Sequence, residues 1–372
     1  MTELMKAHDQ WMTRPDDERF LTLDALAESV GNRRDHSTEH NVATKDLRVN
    51  FVDDEVTLTN GFGEAKMSNW IFGRLAVMAG APAKYLRTLP NELAAVNIQW
   101  GLDHNNRDAE GKDRGKQVLL HESGVWPFGE NKTAMAVTSQ KYGRIWDIDV
   151  VNALRENLNP EVWKIPPAPA GVDPLRATTL YASDRDTFIF LVDEERPIEV
   201  PGTNGGETLF RGFFVSNSEV GKAALHIDTF LYREVCANRI VWGAQGVSSI
   251  HIRHNAGGPE RFVREAEPAL TEYLNSGTIS TVAAIKQARE TEVGATEVGA
   301  TEDDVSKWLL ARGFTQGLAA EASKRAAEEP GNERSVWNLV QGLTAHARDI
   351  PHTDDRVALE TKAGRLMETV SS

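Results

Sequence analysis

Residues 212–243 read GFFVSNSEVGKAALHIDTFLYREVCANRIVWG, and the reading of this stretch decides the fold. It starts with the apolar run Phe213, Phe214, Val215. The following Ser216-Asn217-Ser218 is a turn whose side chains can bond their own backbone. Leu225-His226-Ile227-Asp228 then alternates with a period of two, as a half-buried strand does. Two antiparallel strands joined by a tight polar turn follow from this pattern. Upstream, Thr187-Phe188-Ile189-Phe190-Leu191-Val192 reads as a fully buried strand, with residues 202–206 (GTNGG) as a hairpin tip leading back. Downstream, Ser249-Ile250-His251-Ile252-Arg253-His254 is the last clear strand. With Val118-Leu119-Leu120 and Ala134-Met135-Ala136-Val137, these segments predict an α+β protein with a mainly antiparallel central sheet.

The flanks are expected to be helical. Leu47 to Val52, Asp53-Asp54 and Val56 to Leu58 form a hairpin pattern. Ser68 is a good N-cap for a helix carrying Ile71, Phe72, Leu75 and Met78, stopped at Gly80 and Pro82. A short helical piece holds Tyr85 and Leu86, and a third helix starts at Asn91 with Leu93, Val96 and Trp100 spaced for burial. Helix, glycine turn and short helix resemble a DNA-reading helix-turn-helix, with Lys84 and Arg87 as its nearby cations. Beyond Phe262 the pattern stays helical to the end, interrupted by the tandem pentapeptide Thr-Glu-Val-Gly-Ala at 291–300, expected as a flexible insertion. The expected organisation is an N-terminal helical and hairpin region (1–116), a central β-rich region (117–264) and an acidic C-terminal helical bundle (265–372).

The totals narrow the class. A chain of 372 residues can bury a large core. No apolar run approaches the length of a membrane span, and the start of the chain lacks a secretory pattern. The single cysteine, Cys236, fits a reducing cytosol, so a cytoplasmic protein without membrane partners is expected. The net charge of −14 argues against a chain coated in nucleic acid. The charge is uneven, however: residues 211–264 hold seven Lys and Arg against four Asp and Glu, giving +3, while residues 265–372 carry −7.

Several motifs together resemble the family catalogued as domain of unknown function 932. They are residues 86–93 (LRTLPNEL), Ser139 with Tyr142 ahead of a helix, residues 216–221 (SNSEVG), the Arg233, Cys236, Asn238 element, and the helical segment from Trp337. The resemblance spans residues 69–367. Asn238 is followed by Arg239 where the family pattern has glycine, and Gln341 stands where it has asparagine. The resemblance implies an accessory protein of phages and plasmids, found among recombination and anti-restriction genes.

The leading chemistry is phosphate binding. Arg211, Lys222, Arg233, Arg239, Arg253 and His254, with Tyr142 and Arg144 upstream, interleave cations and rings as single-stranded nucleic acid requires. The bland alternative pairs these arginines with Glu219, Asp228 and Glu234 inside a core. A metal would find His226 and Asp228 on one strand face, but His251 and His254 on opposite faces, so no metal site and no cofactor is expected. Cys236 reads as a small buried hydrophobe rather than a nucleophile. Gly-rich phosphate loops are absent. The expected function is a DNA-metabolism accessory that binds single-stranded DNA in annealing or recombination, a non-enzymatic role. The alternatives are a protein that engages a host enzyme through its acidic surface, as inhibitor or nucleic-acid mimic, and a metal-dependent nuclease.

Overall fold

Alternating apolar positions build two sheets, and each buries one face under helices. A computed structural model describes residues 15–105, 115–123, 131–166, 168, 171–200, 207–233, 239–240, 249–276, 279–293, 301–329, 331–347, 349–350 and 353–369. In chain order come β1 (Arg19–Phe20), α1 (Leu23–Asp35), β2 (Ser37–Val42), β3 (Arg48–Val52), β4 (Glu55–Asn60), β5 (Gly63–Met67), α2 (Asn69–Met78) and α3 (Asn91–Asn105). Next are β6 (Lys116–Ser123), β7 (Asn131–Ser139), α4 (Asp147–Asn157), β8 (Trp163–Lys164), β9 (Leu180–Ala182), β10 (Thr187–Val200), β11 (Glu207–Asn217), β12 (Leu225–Arg233), β13 (Arg239–Ile240) and β14 (Ser249–Ile252). Helices α5 (Glu267–Asn275), α6 (Ile279–Glu290), α7 (Glu302–Ala311), α8 (Gln316–Ala326), α9 (Val336–Ala347) and α10 (Thr353–Glu368) follow.

The fold is α+β with a mainly antiparallel sheet and helices at both flanks, as the pattern predicts. The larger sheet runs β1-β9-β10-β11-β12-β13, with β14 on β12 and β8 on β10. Its centre is the β10–β11–β12 meander, in which Ile189 faces Val215 and Val215 faces Ile227. These side chains share one face with Leu191, Phe213 and Leu225, and pack under α1, α4 and α5. The far end of the same sheet, at Ile198, Leu209 and Leu231, is the floor for the C-terminal helices. Helix α9 is buried along nearly its whole length there, with Trp337 almost fully enclosed.

The smaller sheet has the order β2-β6-β7-β5-β4-β3. Strands β6 and β7 pair with β2 and β5 here rather than with the meander. Strands β2 to β5 of the N-terminal region thus share one sheet with β6 and β7. Helices α2 and α3 cover one face, over Val49, Leu58, Val118 and Leu120. Ser68 caps α2 as expected, accepting from the Ile71 amide at 3.3 Å. Residues 202–206 and most of the pentapeptide repeat lie outside the described residues.

One helix face differs from its expectation. Leu93, Val96 and Trp100 are exposed, at 50%, 60% and 62%, while Ala94, Ala95, Ile98 and Leu102 are buried. Both sets have helical spacing. The alanine-rich face wins because small side chains let α3 lie close on the sheet and against the end of α2. The helix-turn-helix pattern falls on α2 and the short helix Ala83–Leu86, and Arg87 just beyond it donates to the Asn69 carbonyl at 3.0 Å. Replacing Ile98 by Ala is expected to cost about 2–5 kcal/mol in urea unfolding, and Trp100→Ala less than about 0.5 kcal/mol. The opposite ranking would contradict this face assignment.

Candidate functional site

The turn between β11 and β12 is where the two sheets meet, and the last five residues of its SNSEVG motif each have a separate task. Asn217 donates from Nδ2 to the Ile145 carbonyl at 2.9 Å and to Asp147 Oδ1 at 2.7 Å. Ser218 donates to the Arg185 carbonyl at 2.6 Å and accepts the Lys222 amide at 3.0 Å. Val220 plugs into the second face of the smaller sheet among Leu119, Met135 and Ala136, and its carbonyl accepts from Trp70 Nε1 at 2.9 Å. Gly221 has φ +81°, a left-handed value that a side chain would disfavour.

Glu219 and Asp147 form the acidic centre. Helix α4 begins after Trp146, a residue with no side-chain acceptor, so its first amides need a cap from elsewhere. Glu219 supplies it: Oε1 accepts the Asp147 amide at 2.7 Å. The Asp147 carboxylate is almost fully buried and accepts from Arg33 Nη2 and Thr187 Oγ1, each at 2.6 Å, besides Asn217. Arg33 Nε also lies 3.4 Å from Glu219 Oε2. Burial and the neighbouring Asp147 charge push the Glu219 carboxyl up to about 7, against the opposing pull of Arg33.

Arg144 pins the turn to the smaller sheet. Its guanidinium donates to Glu39 Oε1 at 2.7 Å, to Gln117 Oε1 at 3.1 Å and to the Glu219 carbonyl. It also lies 5.1 Å from the Tyr142 ring and 5.3 Å from the Trp146 ring. Tyr142 closes a turn onto Ser139, donates to the Ser218 carbonyl at 3.1 Å, and stacks on His254 with centroids 5.1 Å apart and planes 4° apart. His254 Nδ1 accepts the Ile145 amide at 3.2 Å, which assigns the ring proton to Nε2. Burial and Arg144 push His254 down to about 4, so it is neutral near pH 7. Burial likewise pushes the Tyr142 hydroxyl up. Beside this network is a small cleft lined by Arg33, Ser37, Asp147, Ser183, Asp184, Arg185 and Glu219 among others.

The expected phosphate contacts divide into groups. Tyr142, Arg144, Lys222, Arg253 and His254 come together at this joint. Arg253 and Lys222 are exposed; the Lys222 ammonium pairs with Asp186. Arg144 is buried and occupied, so it does not offer the free guanidinium the pattern suggested. Arg211 lies elsewhere, buried under the helices. It is 3.0 Å from Asp193 Oδ2 and donates to the Ser276 carbonyl and hydroxyl at 2.9 Å. For Arg144 and Arg211 the paired, core reading is the one realised, because an unpaired buried guanidinium would be too costly. Arg233 lies opposite Leu209 at the end of β12, Arg239 lies opposite Tyr232 at the start of β13, and Cys236 lies outside the described residues. His226 stacks on His251 at 4.4 Å, and among the described residues no group of three His, Cys, Asp or Glu could hold a metal ion. No helix among them is long and apolar enough to cross a membrane. Reading the sequence for charge clusters missed Arg33 and Asp147; the missing N-cap before α4 was the available signal.

This meander, sealed by an SNSEVG turn onto a second sheet, defines a class of two-sheet α+β protein with a buried ionic joint. The chain belongs to the family described as domain of unknown function DUF932, whose model matches residues 134–350. Searches of curated proteins and of solved structures find no match. The matched span includes Tyr142, the SNSEVG turn and Trp337, while residues 86–93 fall before it.

Two ionisations here have opposite signs. The folded chain keeps a Glu219 proton that the unfolded chain releases near pH 4.5, so stability falls as pH rises from about 4.5 to 7. The folded chain refuses a His254 proton that the unfolded chain takes near pH 6.5, so stability falls as pH drops from about 6.5 to 4. Relative to the unsubstituted chain, Glu219→Gln is expected to gain about 1 to 3 kcal/mol as pH rises through the first window. His254→Phe gains similarly as pH falls through the second. Urea unfolding across pH 4 to 8 checks this, and parallel profiles for all three proteins would contradict it.

Proposed function

We propose that the chain is a DNA-metabolism accessory protein of a mobile element, acting in the cytoplasm without chemistry of its own, and that it binds single-stranded DNA at the rim of the joint. The supporting observation is the set of exposed cations around the Tyr142–His254 stack. Lys141 and Arg253 are exposed and adjacent in sequence to the two stacked rings, and the exposed Lys222 is tied to the same turn through Ser218. Such a rim offers phosphate contacts beside an aromatic edge, the pairing that sequence-independent single-strand binding uses. The mobile-element setting comes from the family resemblance.

An anisotropy titration with labelled oligodeoxythymidine at two salt concentrations tests the reading. Affinity is expected to fall as salt rises, and Lys222→Glu with Arg253→Glu to weaken binding at least tenfold. Loss of each phosphate contact should flatten the salt slope by about 0.7. Absence of binding at low salt, or binding that the double substitution leaves unchanged, would overturn it.

A further inference from the structure

The smaller sheet ends in β3, and among the described residues no strand pairs with its outer side. Strands β3 and β4 are joined by Asp53 and Asp54, at φ 49° and 64°, with Val52 facing Glu55. A two-residue hairpin of this kind turns the backbone groups of Val52, Asn50 and Arg48 inward to β4. Those of Val49 and Phe51 point outward. The outward direction is directly marked, because the Val49 amide donates to the side chain of Gln99 on α3 at 2.7 Å. Gln99 thus occupies one position that a neighbouring strand would fill. Its own Nε2 is held by Asp103 at 3.0 Å.

Helix α3 forms the wall above this edge. Asn91 fixes the start of the helix to the Asp54 carbonyl at 2.7 Å, and Gln99 fixes it again at Val49. Between these anchors stand Phe51 on the strand and Val96 on the helix, 40% and 60% exposed, with Val96 one turn from Gln99 on the same flank. Asp53, Asp54 and Glu92, all exposed, make the end of this groove acidic. A helix, a free strand edge and exposed apolar side chains between them are what strand addition requires.

We propose that the β3 edge docks an extended segment of a partner protein, added antiparallel as a further strand. One apolar side chain of that segment sits between Phe51 and Val96. A Lys or Arg at its N-terminal end lies beside Asp53, Asp54 and Glu92. Charge complementarity fixes the polarity of the segment, since the antiparallel arrangement brings its N-terminus to the acidic turn. Self-pairing with a second copy of this chain is the competing arrangement, and oligomeric state separates the two.

The test uses the full chain and a synthetic peptide, Lys-Lys-Val-Thr-Val-Thr-Val, labelled with fluorescein at its C-terminus. Saturable binding by anisotropy is expected, weakened at least tenfold by Val96→Asp and by Phe51→Pro. The proline removes an outward amide without removing a ladder bond, and if it unfolds the chain the helix substitution decides. Gln99→Ala, which frees the Val49 amide, is expected to tighten binding severalfold. A peptide with Glu in place of both lysines should bind at least fivefold more weakly. Lack of saturation at millimolar peptide, or equal binding by the Val96→Asp chain or by a peptide with proline at its centre, overturns the proposal. A dimer in sedimentation that Phe51→Pro converts to monomer overturns it in favour of self-pairing.

Discussion

The arrangement depends on a carboxylate that is almost fully buried. Asp147 is held under Arg33, Thr187 and Asn217, and the amide of the same residue is capped by Glu219. Buried ions are tolerable only when every partner is present, and deleting one partner of such a set typically costs about 3–5 kcal/mol. The partners come from α1, α4, β10 and the β11–β12 turn. That single site therefore fixes the relative placement of four elements. Arg144 extends the same network to Glu39 on β2 and Gln117 on β6, which carries it into the second sheet.

This use of charge explains why the cation-rich centre of the chain is not one continuous positive face. Arg211 and Arg144 are absorbed by Asp193, Glu39 and backbone carbonyls. Arg261 and Arg264 are exposed but paired with Glu260 and Glu265 on their own helical turns. What reaches solvent beside the Tyr142–His254 stack is a smaller group of cations at Lys141, Lys222 and Arg253. Glycine is required at one further point of this joint. A side chain on Gly143 would run into the Asn255 carbonyl, so the loop carrying Tyr142 and Arg144 can lie directly on the loop carrying His254.

Strands, turns and most helices were legible because period and turn chemistry are local. The Asp53-Asp54 hairpin and the Ser68 cap follow from neighbours in sequence. The partners of those elements were less legible. Nothing local tells β6 and β7 to pair with β2 and β5, and both faces of α3 carry helical spacing. At the joint, Tyr142, Lys222 and His254 stood out by type, whereas Arg33 is 114 residues from Asp147 in the chain. The SNSEVG turn could be recognised as a motif, but its chemistry is in its contacts with distant carbonyls and carboxylates.

Hydrogen exchange on an Arg144→Met chain measures the joint most directly. If the buried network couples the two sheets, exchange quickens together in the Ser216–Gly221 turn, at the start of α4 and along β2 and β6. Faster exchange confined to the residues beside position 144, with β2 and β6 as protected as before, would contradict the account.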